Sequence, residues 1–199
     1  FTQLTRNGKL ARVIEGIDAA IAAGFERIKI NAVILKQQND HEVIDLVNFC
    51  RDRKLDIAFI EEMPLGEMDE RKRMRHCSSD EVKAMISEHY PLQLSNKRTG
   101  GPARYYKMVD SPIHIGFISP HSHNFCHECN RVRVTVEGQL LLCLGNEHSV
   151  DLKSIIREFP GDIERLKTAI LQGIKRKPQQ HVFDNNEVQI LRFMNATGG

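Results

Sequence analysis

The order of helix and strand patterns in the first 65 residues constrains the fold most. Apolar residues recur at helical spacing over residues 10–25, and residues 26–34 alternate between the two faces of a strand. A second helix is predicted over residues 40–54 and a second strand over residues 57–63. Helices and strands that alternate with short connections form βα units in a parallel sheet, so the sequence predicts an α/β fold.

The pattern changes after Pro64. A charged loop over residues 66–76 leads to Ser78 and Glu81, whose spacing is that of a capping box and predicts a helix to about residue 90. The remaining predicted elements are short strands at 92–95, 104–109 and 113–118, a hairpin of 131–136 with 139–144, and helices at 151–158 and 162–175. We therefore predict two regions, a βα region over residues 1–65 and a separate α+β region over residues 66–199.

Residues 1–65 supply only two parallel strands, which cannot cover their own edges and faces. The chain also begins with Phe1 rather than Met. We therefore expect earlier βα units in front of these residues, and we expect the chain alone to be poorly stable because its first strand lacks a partner. Cooperative unfolding of the chain as an apo monomer would contradict that expectation.

Composition and charge disfavour several classes of function. The 28 Lys and Arg residues nearly balance the 26 Asp and Glu residues, and a formal net charge of +2 does not indicate a nucleic-acid or membrane surface. Apolar runs such as residues 140–144 are far shorter than the roughly 20 residues of a membrane span. Five cysteines are an odd number, and no secretory leader is apparent. A disulfide scaffold is therefore disfavoured, and a reducing, cytoplasmic location is predicted.

Three of the five cysteines have an informative spacing. Cys126 and Cys129 form a C-x-x-C pair, and a hairpin would bring Cys143 back to them. Cys50 lies on a predicted helix face and Cys77 lies beside a helix cap, so neither is expected to belong to the same site as the other three cysteines.

The register of the hairpin decides whether the cysteines meet. A three-residue loop with Gly138 in the left-handed conformation pairs Thr135 with Gln139. That register places four residues on one face of the ribbon, namely Cys129, Arg131, Arg133 and Cys143.

The spacing leaves three chemistries open for the cysteines. Zinc requires a fourth ligand, and four histidines are near in sequence, namely His121, His123, His127 and His148. A C-x-x-C redox pair would lack the surrounding thioredoxin-like βαβ context. A [4Fe–4S] cluster held by three cysteines would leave one iron free to bind another ligand.

Arg131 and Arg133 place two guanidinium groups beside the cysteines. Clustered cations indicate an anionic partner, and phosphate is the natural one. The alternative is a solvated strand face. Because the chain has no G-x-x-x-x-G-K-[ST] motif, basic side chains rather than a glycine cradle would hold the phosphate.

Lys29 and Asn31 are a second pair of candidates. Both lie on the polar face of a strand expected to be buried on two sides, where a lysine needs a counter-charge. Glu61 and Glu62, one strand later, could supply it, or a ligand could. The alternative is that Lys29 is an edge residue in solvent.

The cysteine segment resembles a known family. Residues 125–133 read F-C-H-E-C-N-R-V-R and are followed by Gly138 and by L-C-L at 142–144. This closely resembles the C-terminal cluster motif of the GTP 3′,8-cyclase family, radical S-adenosylmethionine enzymes that begin molybdenum cofactor biosynthesis. Other segments that resemble the family lie at 16–25, 29–31, 59–64, 101–103 and 198–199.

The resemblance implies a fold and a reaction. The βα region would be the C-terminal part of an incomplete TIM-like (β/α) radical S-adenosylmethionine barrel, followed by an α+β element that carries a second Fe–S cluster. In the family an N-terminal [4Fe–4S] cluster on C-x-x-x-C-x-x-C cleaves S-adenosylmethionine to a 5′-deoxyadenosyl radical. The radical takes hydrogen from C3′ of GTP, and C3′ then bonds to C8 of guanine.

The resemblance also implies roles for residues. The second [4Fe–4S] cluster would be held by Cys126, Cys129 and Cys143, with its open iron anchoring the purine, and Met63 would lie near S-adenosylmethionine. GTP contacts are implied for Lys29, Asn31, Arg131, Val132 and Arg133. Catalytic roles are implied for Arg131, Arg133 and the C-terminal Gly198 and Gly199.

Two features depart from the family pattern. The C-x-x-x-C-x-x-C motif is absent from this sequence, so we expect the chain as given to be inactive alone. Ala58 stands where the family usually has Arg, so one anion contact of the family lacks its usual residue in this chain.

The implied partners are GTP, a reductant for the clusters, the next enzyme of the pathway and a possible homodimer mate, with no nucleic acid and no membrane. Two other functions stay open. One is a non-enzymatic zinc-stapled module that binds a nucleotide or a partner protein. The other is a different radical enzyme whose auxiliary cluster serves a peptide or sugar substrate.

Overall fold

The computed structural model describes residues 1–65, 74–181, 183, 190, 192 and 194–197. Its helices are α1 (Thr2–Thr5), α2 (Leu10–Ala22), α3 (Val43–Asp52), α4 (Ser79–His89), α5 (Leu152–Glu158) and α6 (Ile163–Lys175). Its strands are β1 (Lys29–Val33), β2 (Asp56–Ile60), β3 (Leu92–Leu94), β4 (Arg104–Met108), β5 (His114–Ile118), β6 (Arg133–Val134), β7 (Gln139–Leu141) and β8 (Ser149–Asp151). Short 3-10 helices cover Asp40–Glu42, Cys126–Glu128 and Met194–Thr197. The predicted α/β class is confirmed.

The larger sheet has five strands in the order β1-β2-β5-β4-β3. β2 is parallel to both β1 and β5, with Ile57 opposite Ile30 and Ile115. β4 is antiparallel to both β5 and β3. The sheet thus joins strands from both sides of residue 65, while the predicted division into 1–65 and 66–199 stays a prediction.

One face of this sheet forms the main core. Residues 57, 59, 115 and 117 alternate onto that face and are buried, as the period of two requires. Helices α3 and α4 cover them with Val47, Cys50, Val82 and Ile86. Each such side chain contributes about 1.5 to 3 kcal/mol when fully buried. Cys50 and Cys77 are both part of this core.

Strand β1 differs from its prediction. It was expected to be buried on two faces, but Lys29, Asn31 and Val33 are all exposed. Among the described residues β1 lies at the edge of the sheet, with β2 as its neighbour, so the expected burial of both faces is not met there. Only the face that carries Ile30 and Ala32 packs against the core.

A smaller sheet, in the order β6-β7-β8, packs against α5 and α6. Its core contains Leu140, Leu142 and Leu152. β8 was not predicted, because its three residues are too short for a periodic pattern. A Cβ at Gly173 would lie 2.7 Å from Cγ2 of Val150, so the glycine lets α6 approach β8 closely. Among the helices that the structure describes, none combines the length and apolarity needed to cross a membrane.

Candidate functional site

The hairpin of β6 and β7 adopts the predicted register. The backbone N–H of Thr135 donates to the carbonyl of Gln139 at 2.9 Å, and the N–H of Gly138 donates to the carbonyl of Thr135 at 2.9 Å. Gly138 has a φ of 78°, and a Cβ there would lie 2.7 Å from the Cβ of Lys153. The three-residue loop is confirmed, and its glycine serves both the left-handed turn and the approach of α5.

The hairpin brings the three spaced cysteines together. Cys126 begins a short 3-10 helix, and the N–H of Cys129 donates to its carbonyl at 3.1 Å. All three thiols are free and half-buried. Burial raises the pKa of Cys143, and the charges of Cys126 and Cys129 add to that rise. The three thiols therefore share one electrostatic environment.

The segment that follows α6 contacts two of these cysteines. The ammonium of Lys177 lies 3.7 Å from Sγ of Cys129, and the backbone N–H of His181 donates to Sγ of Cys126 at 3.4 Å. Burial opposes ionisation of Cys129, but the backbone N–H of Arg131 and the charges of Lys177 and Arg131 outweigh it, so the pKa of Cys129 is lowered. The sequence analysis missed Lys177 and His181, since a lysine after an amphipathic helix carries no signal of its own.

In the described part of the chain, no group of three His, Cys, Asp or Glu side chains is placed to hold a single metal ion. Nε2 of His123 lies 2.8 Å from Asp80, and Nε2 of His127 lies 3.8 Å from Glu128. The chemistry of the cysteine site nevertheless fits an iron–sulfur cluster. Its donors are three free thiols, and the cations beside Cys129 favour the thiolate form of that residue, the form that iron binds.

The two predicted arginines lie at the start of the hairpin. The guanidinium of Arg131 is exposed and lies 5.0 Å from the ring centroid of Phe125. Arg133 begins β6, is half-buried and pairs with Leu141 across the ladder. Val132, between them, is 39% exposed. Arg131 and Val132 directly precede β6, which begins at Arg133.

A groove of about 1000 Å³ lies between the β3–β4 connection and the cysteine loop. Its lining includes four cationic residues, Lys97, Arg98, Arg104 and Arg131, and a single carboxylate, that of Glu128. The ammonium of Lys97 is paired with Asp56, and the side chain of Arg131 also hydrogen-bonds the thiol of Cys129. Arg98 and Arg104 add two more guanidinium groups to the lining. Sequence analysis missed Arg98 and Arg104, because nothing in the sequence places the β3–β4 connection beside the cysteines.

Lys29 does not have the counter-charge that was suggested for it from Glu61. The carboxylate of Glu61 accepts hydrogen bonds from the backbone N–H groups of Ser79, His121 and Ser122. Lys29 instead stands opposite Asp56 in the parallel ladder, with its side chain exposed.

Ala58, the position where an arginine was expected, lies beside Gly116, and the ring of Tyr105 covers that glycine. Ala58 is fully buried, with Asn31 and Gly116 as its ladder partners. A Cβ built on Gly116 would lie 2.9 Å from Cε1 of Tyr105 and 3.3 Å from the Cβ of Ala58. The ring of Tyr105 therefore occupies space that a longer side chain at residue 58 would need.

Met63 and the C-terminal glycines are the remaining predicted residues. Met63 is half-buried just beyond β2, where its carbonyl accepts from the N–H of Leu65 at 2.8 Å. Gly198 and Gly199 lie outside the described residues. No described contact joins Met63, Lys29 or Asn31 to the cysteine site.

Comparison with known proteins gives a consistent set of relatives. Residues 55–183 match the family described as Molybdenum Cofactor Synthesis C. The whole chain is 59% identical over 202 residues to a Pseudomonas putida protein named GTP 3′,8-cyclase, and it covers 60% of that protein. It is 54% identical to the Marinobacter nauticus protein of the same name and 53% identical to the Pseudomonas aeruginosa GTP 3′,8-cyclase 2, and it covers 61% of each. The chain thus spans about three fifths of the length of these curated relatives.

Proposed function

We propose, because this chain belongs to the molybdenum cofactor synthesis C family, that it forms the substrate-binding part of a GTP 3′,8-cyclase. The reaction is the conversion of GTP to (8S)-3′,8-cyclo-7,8-dihydroguanosine 5′-triphosphate by a radical S-adenosylmethionine mechanism. The observation that carries the proposal is a cationic groove lined by Arg131, whose side chain also hydrogen-bonds the free thiol of Cys129.

Binding of the triphosphate is the role that the groove supports best. Guanidinium groups form two parallel hydrogen bonds to phosphate oxygens, and each keeps its charge at all working pH values. Arg131 lines the groove, and Arg133 begins β6 two residues later. Arg98 and Arg104 approach from the opposite wall. Several cations around one groove match the charge of a triphosphate.

Cys126, Cys129 and Cys143 would hold a [4Fe–4S] cluster through three thiolates. When bound, such a cluster supplies an open iron that can take a ligand atom of the purine. The chain's own contribution is to favour the thiolate of Cys129 and to orient the nucleotide with the neighbouring arginines.

The proposal extends to residues on the larger sheet. Lys29 and Asn31 are exposed and would contact GTP together with Val132, while Met63 would lie near S-adenosylmethionine. The parallel strands β1, β2 and β5 would belong to an incomplete (β/α) barrel. The C-terminal Gly198 and Gly199 would assist the reaction in the pocket.

The enzyme would act in the cytoplasm. It would need a reductant for its clusters and a second [4Fe–4S] cluster that binds S-adenosylmethionine. Its product would pass to the next enzyme of molybdenum cofactor synthesis. The enzyme itself would form a homodimer.

Nucleotide binding to the anaerobically reconstituted protein tests the proposal. We expect GTP to bind more tightly than ATP, and we expect Arg131→Ala to weaken GTP binding about ten- to a hundredfold, the equivalent of one or two charged hydrogen bonds. Arg157→Ala, an exposed position on α5 outside the groove, is the matched control. Equal binding of GTP and ATP, or an unchanged affinity in Arg131→Ala, would contradict the proposal.

Metal analysis separates the cyclase from a zinc-stapled binding module. The proposal expects iron and sulfide bound through the three cysteines. About one zinc per chain without sulfide would instead favour the module. In that case one of His121, His123 or His127 should be the fourth ligand, and replacing all three should release the zinc.

A further inference from the structure

We propose that the segment of residues 177–181 acts as a clasp on the cysteine site, with Lys177 as its charged positioning residue. The clasp is not a ligand. It contacts the cysteine sulfurs through one ammonium and one backbone N–H, and its positive charge stabilises the negative charge of the cluster that they bind. The inference rests on the proposed function, since it concerns the [4Fe–4S] cluster assigned to Cys126, Cys129 and Cys143.

Lys177 is fixed by the backbone around it. It follows α6 directly, where its N–H donates to the carbonyl of Ile174 at 3.0 Å. Its ammonium donates to the carbonyl of Leu142 at 2.8 Å and lies 3.7 Å from Sγ of Cys129. Leu142 is the residue before Cys143, so this one ammonium joins the segment that carries Cys129 to the segment that carries Cys143.

The ammonium has no carboxylate partner within the described part of the chain. A half-buried cation needs a counter-charge, and the groups that face this one are thiols and a carbonyl. Thiolates supply that counter-charge when the site binds iron. The lysine and the cysteines therefore complement each other in charge when the thiolates bind iron.

His181 closes the other end of the clasp with its backbone. Its N–H donates to Sγ of Cys126 at 3.4 Å. Its ring is occupied elsewhere, since Nε2 lies 2.7 Å from the carbonyl of Pro120 and Nδ1 accepts from the N–H of Phe183 at 3.2 Å. These contacts require the proton on Nε2, so neither ring nitrogen is free to be a metal ligand here.

A glycine next to the cysteines leaves room for the clasp. A Cβ on Gly145 would lie 2.6 Å from the Cβ of His181 and 2.8 Å from the ring of Phe183. Gly145 is two residues after Cys143, and its backbone N–H also hydrogen-bonds that cysteine. The hairpin and the clasp are thus shaped to fit against each other.

Charges and N–H groups around cluster sulfurs tune the reduction potential. A reduced cluster carries one more negative charge than an oxidised one, so a nearby ammonium favours the reduced form. Loss of the ammonium should shift the midpoint potential to more negative values and weaken iron retention. A tenfold loss in the relative stability of the reduced form corresponds to about 59 mV for one electron.

The test compares Lys177→Gln, Lys177→Met and Lys177→Arg. Glutamine keeps a donor for the carbonyl of Leu142 but removes the charge, methionine removes both, and arginine keeps both. Lys175→Met, at the exposed end of α6, is the control for loss of a charge nearby. After anaerobic reconstitution we would measure iron and sulfide per chain and the midpoint potential of the paramagnetic signal that Cys143→Ala abolishes.

We expect Lys177→Gln and Lys177→Met to shift the midpoint potential to more negative values by at least about 59 mV, which corresponds to a tenfold loss in the relative stability of the reduced form. Both variants should also hold less iron. Lys177→Arg and Lys175→Met should resemble the wild type. Wild-type potential and iron content in Lys177→Gln would overturn the clasp, even if Lys177→Met failed to fold. Absence of sulfide from the wild-type protein would overturn the proposed function itself, so the two failures are distinguishable.

Discussion

Glu61 is a buried carboxylate that joins three parts of the fold through hydrogen bonds, and Glu61→Gln tests how much those bonds stabilise the protein. It is 2% exposed and follows β2 directly. Oε1 accepts from the N–H of Ser79 at 2.8 Å and from the hydroxyl of Ser122. Oε2 accepts from the N–H groups of His121 and Ser122 at 3.1 Å and 3.0 Å. The carboxylate therefore joins the end of β2 to the start of α4 and to the loop after β5.

The magnitude follows from how an amide would fit among these donors. An NH₂ group in place of Oε2 would face two backbone N–H groups. In place of Oε1 it would face one, because the hydroxyl of Ser122 can turn and accept. The better orientation still leaves the N–H of Ser79 without an acceptor, which costs about 1 to 3 kcal/mol. The lost charge-assisted bonds raise the expected destabilisation to about 3 kcal/mol.

Urea unfolding and amide hydrogen exchange measure this effect. At pH 7 we expect Glu61→Gln to lower the free energy of unfolding and to speed exchange at Ser79, His121 and Ser122. Glu88→Gln, an exposed position on α4, should change neither quantity. Unchanged exchange at the three amides would show that the carboxylate of Glu61 does not stabilise them.

The pH dependence supplies an independent check on Glu61. Burial alone would raise its pKa, but the hydroxyl of Ser122 and the backbone N–H groups outweigh burial, so the pKa of Glu61 lies below its ordinary value of 4.5. A lowered folded-state pKa means that the stabilisation is present above pH 4.5 and is lost as the pH falls through the folded-state pKa. The difference between the wild type and Glu61→Gln should therefore shrink in acid.

Three other substitutions give measurable changes in urea unfolding. Gly138→Ala should destabilise the hairpin by about 1 to 3 kcal/mol, because the new Cβ adds backbone strain and meets Lys153. Gly161→Ala should cost only about 1 kcal/mol, because Gly161 is also at positive φ but has nothing within 4 Å of its Cβ. Equal costs would contradict the contact with Lys153. Ser78→Ala should cost about 1 kcal/mol by removing the capping-box acceptor of α4, and no loss of stability would contradict the observed cap. Ala58→Arg should cost about 3 kcal/mol because the ring of Tyr105 fills the space, and a smaller cost in a Tyr105→Ala background is the expected sign of that contact.

Local features of the fold were predictable because they depend on residues close in sequence. The capping box at Ser78 starts α4 as expected, with the N–H of Glu81 donating to the serine hydroxyl. The hairpin register also followed from the sequence, since only a three-residue loop with Gly138 places the cysteines and both arginines on one face. The spacing of Cys126, Cys129 and Cys143 therefore indicated the site before any contact was known.

Other features depend on residues far apart in sequence. The pairing of β5 with β2 and the exposure of β1 follow from strand order, which no periodic pattern encodes. The contact of Lys177 with Cys129 spans 48 residues, and that of Ser122 with Glu61 spans 61. Neither pair has a spacing motif, so neither could be inferred without the packing of the elements that carry them.

The α/β class, the hairpin and the spacing of the three cysteines and two arginines were predictable from short-range periodicity, turn geometry and motif spacing. Tertiary structure alone decided that the β3–β4 connection faces the cysteine loop and adds Arg98 and Arg104 to its groove. It also decided that Lys177 and His181 reach the thiols. The physical reason is that charge and hydrogen-bond complementarity at this site is assembled from separate elements whose relative positions are set by packing.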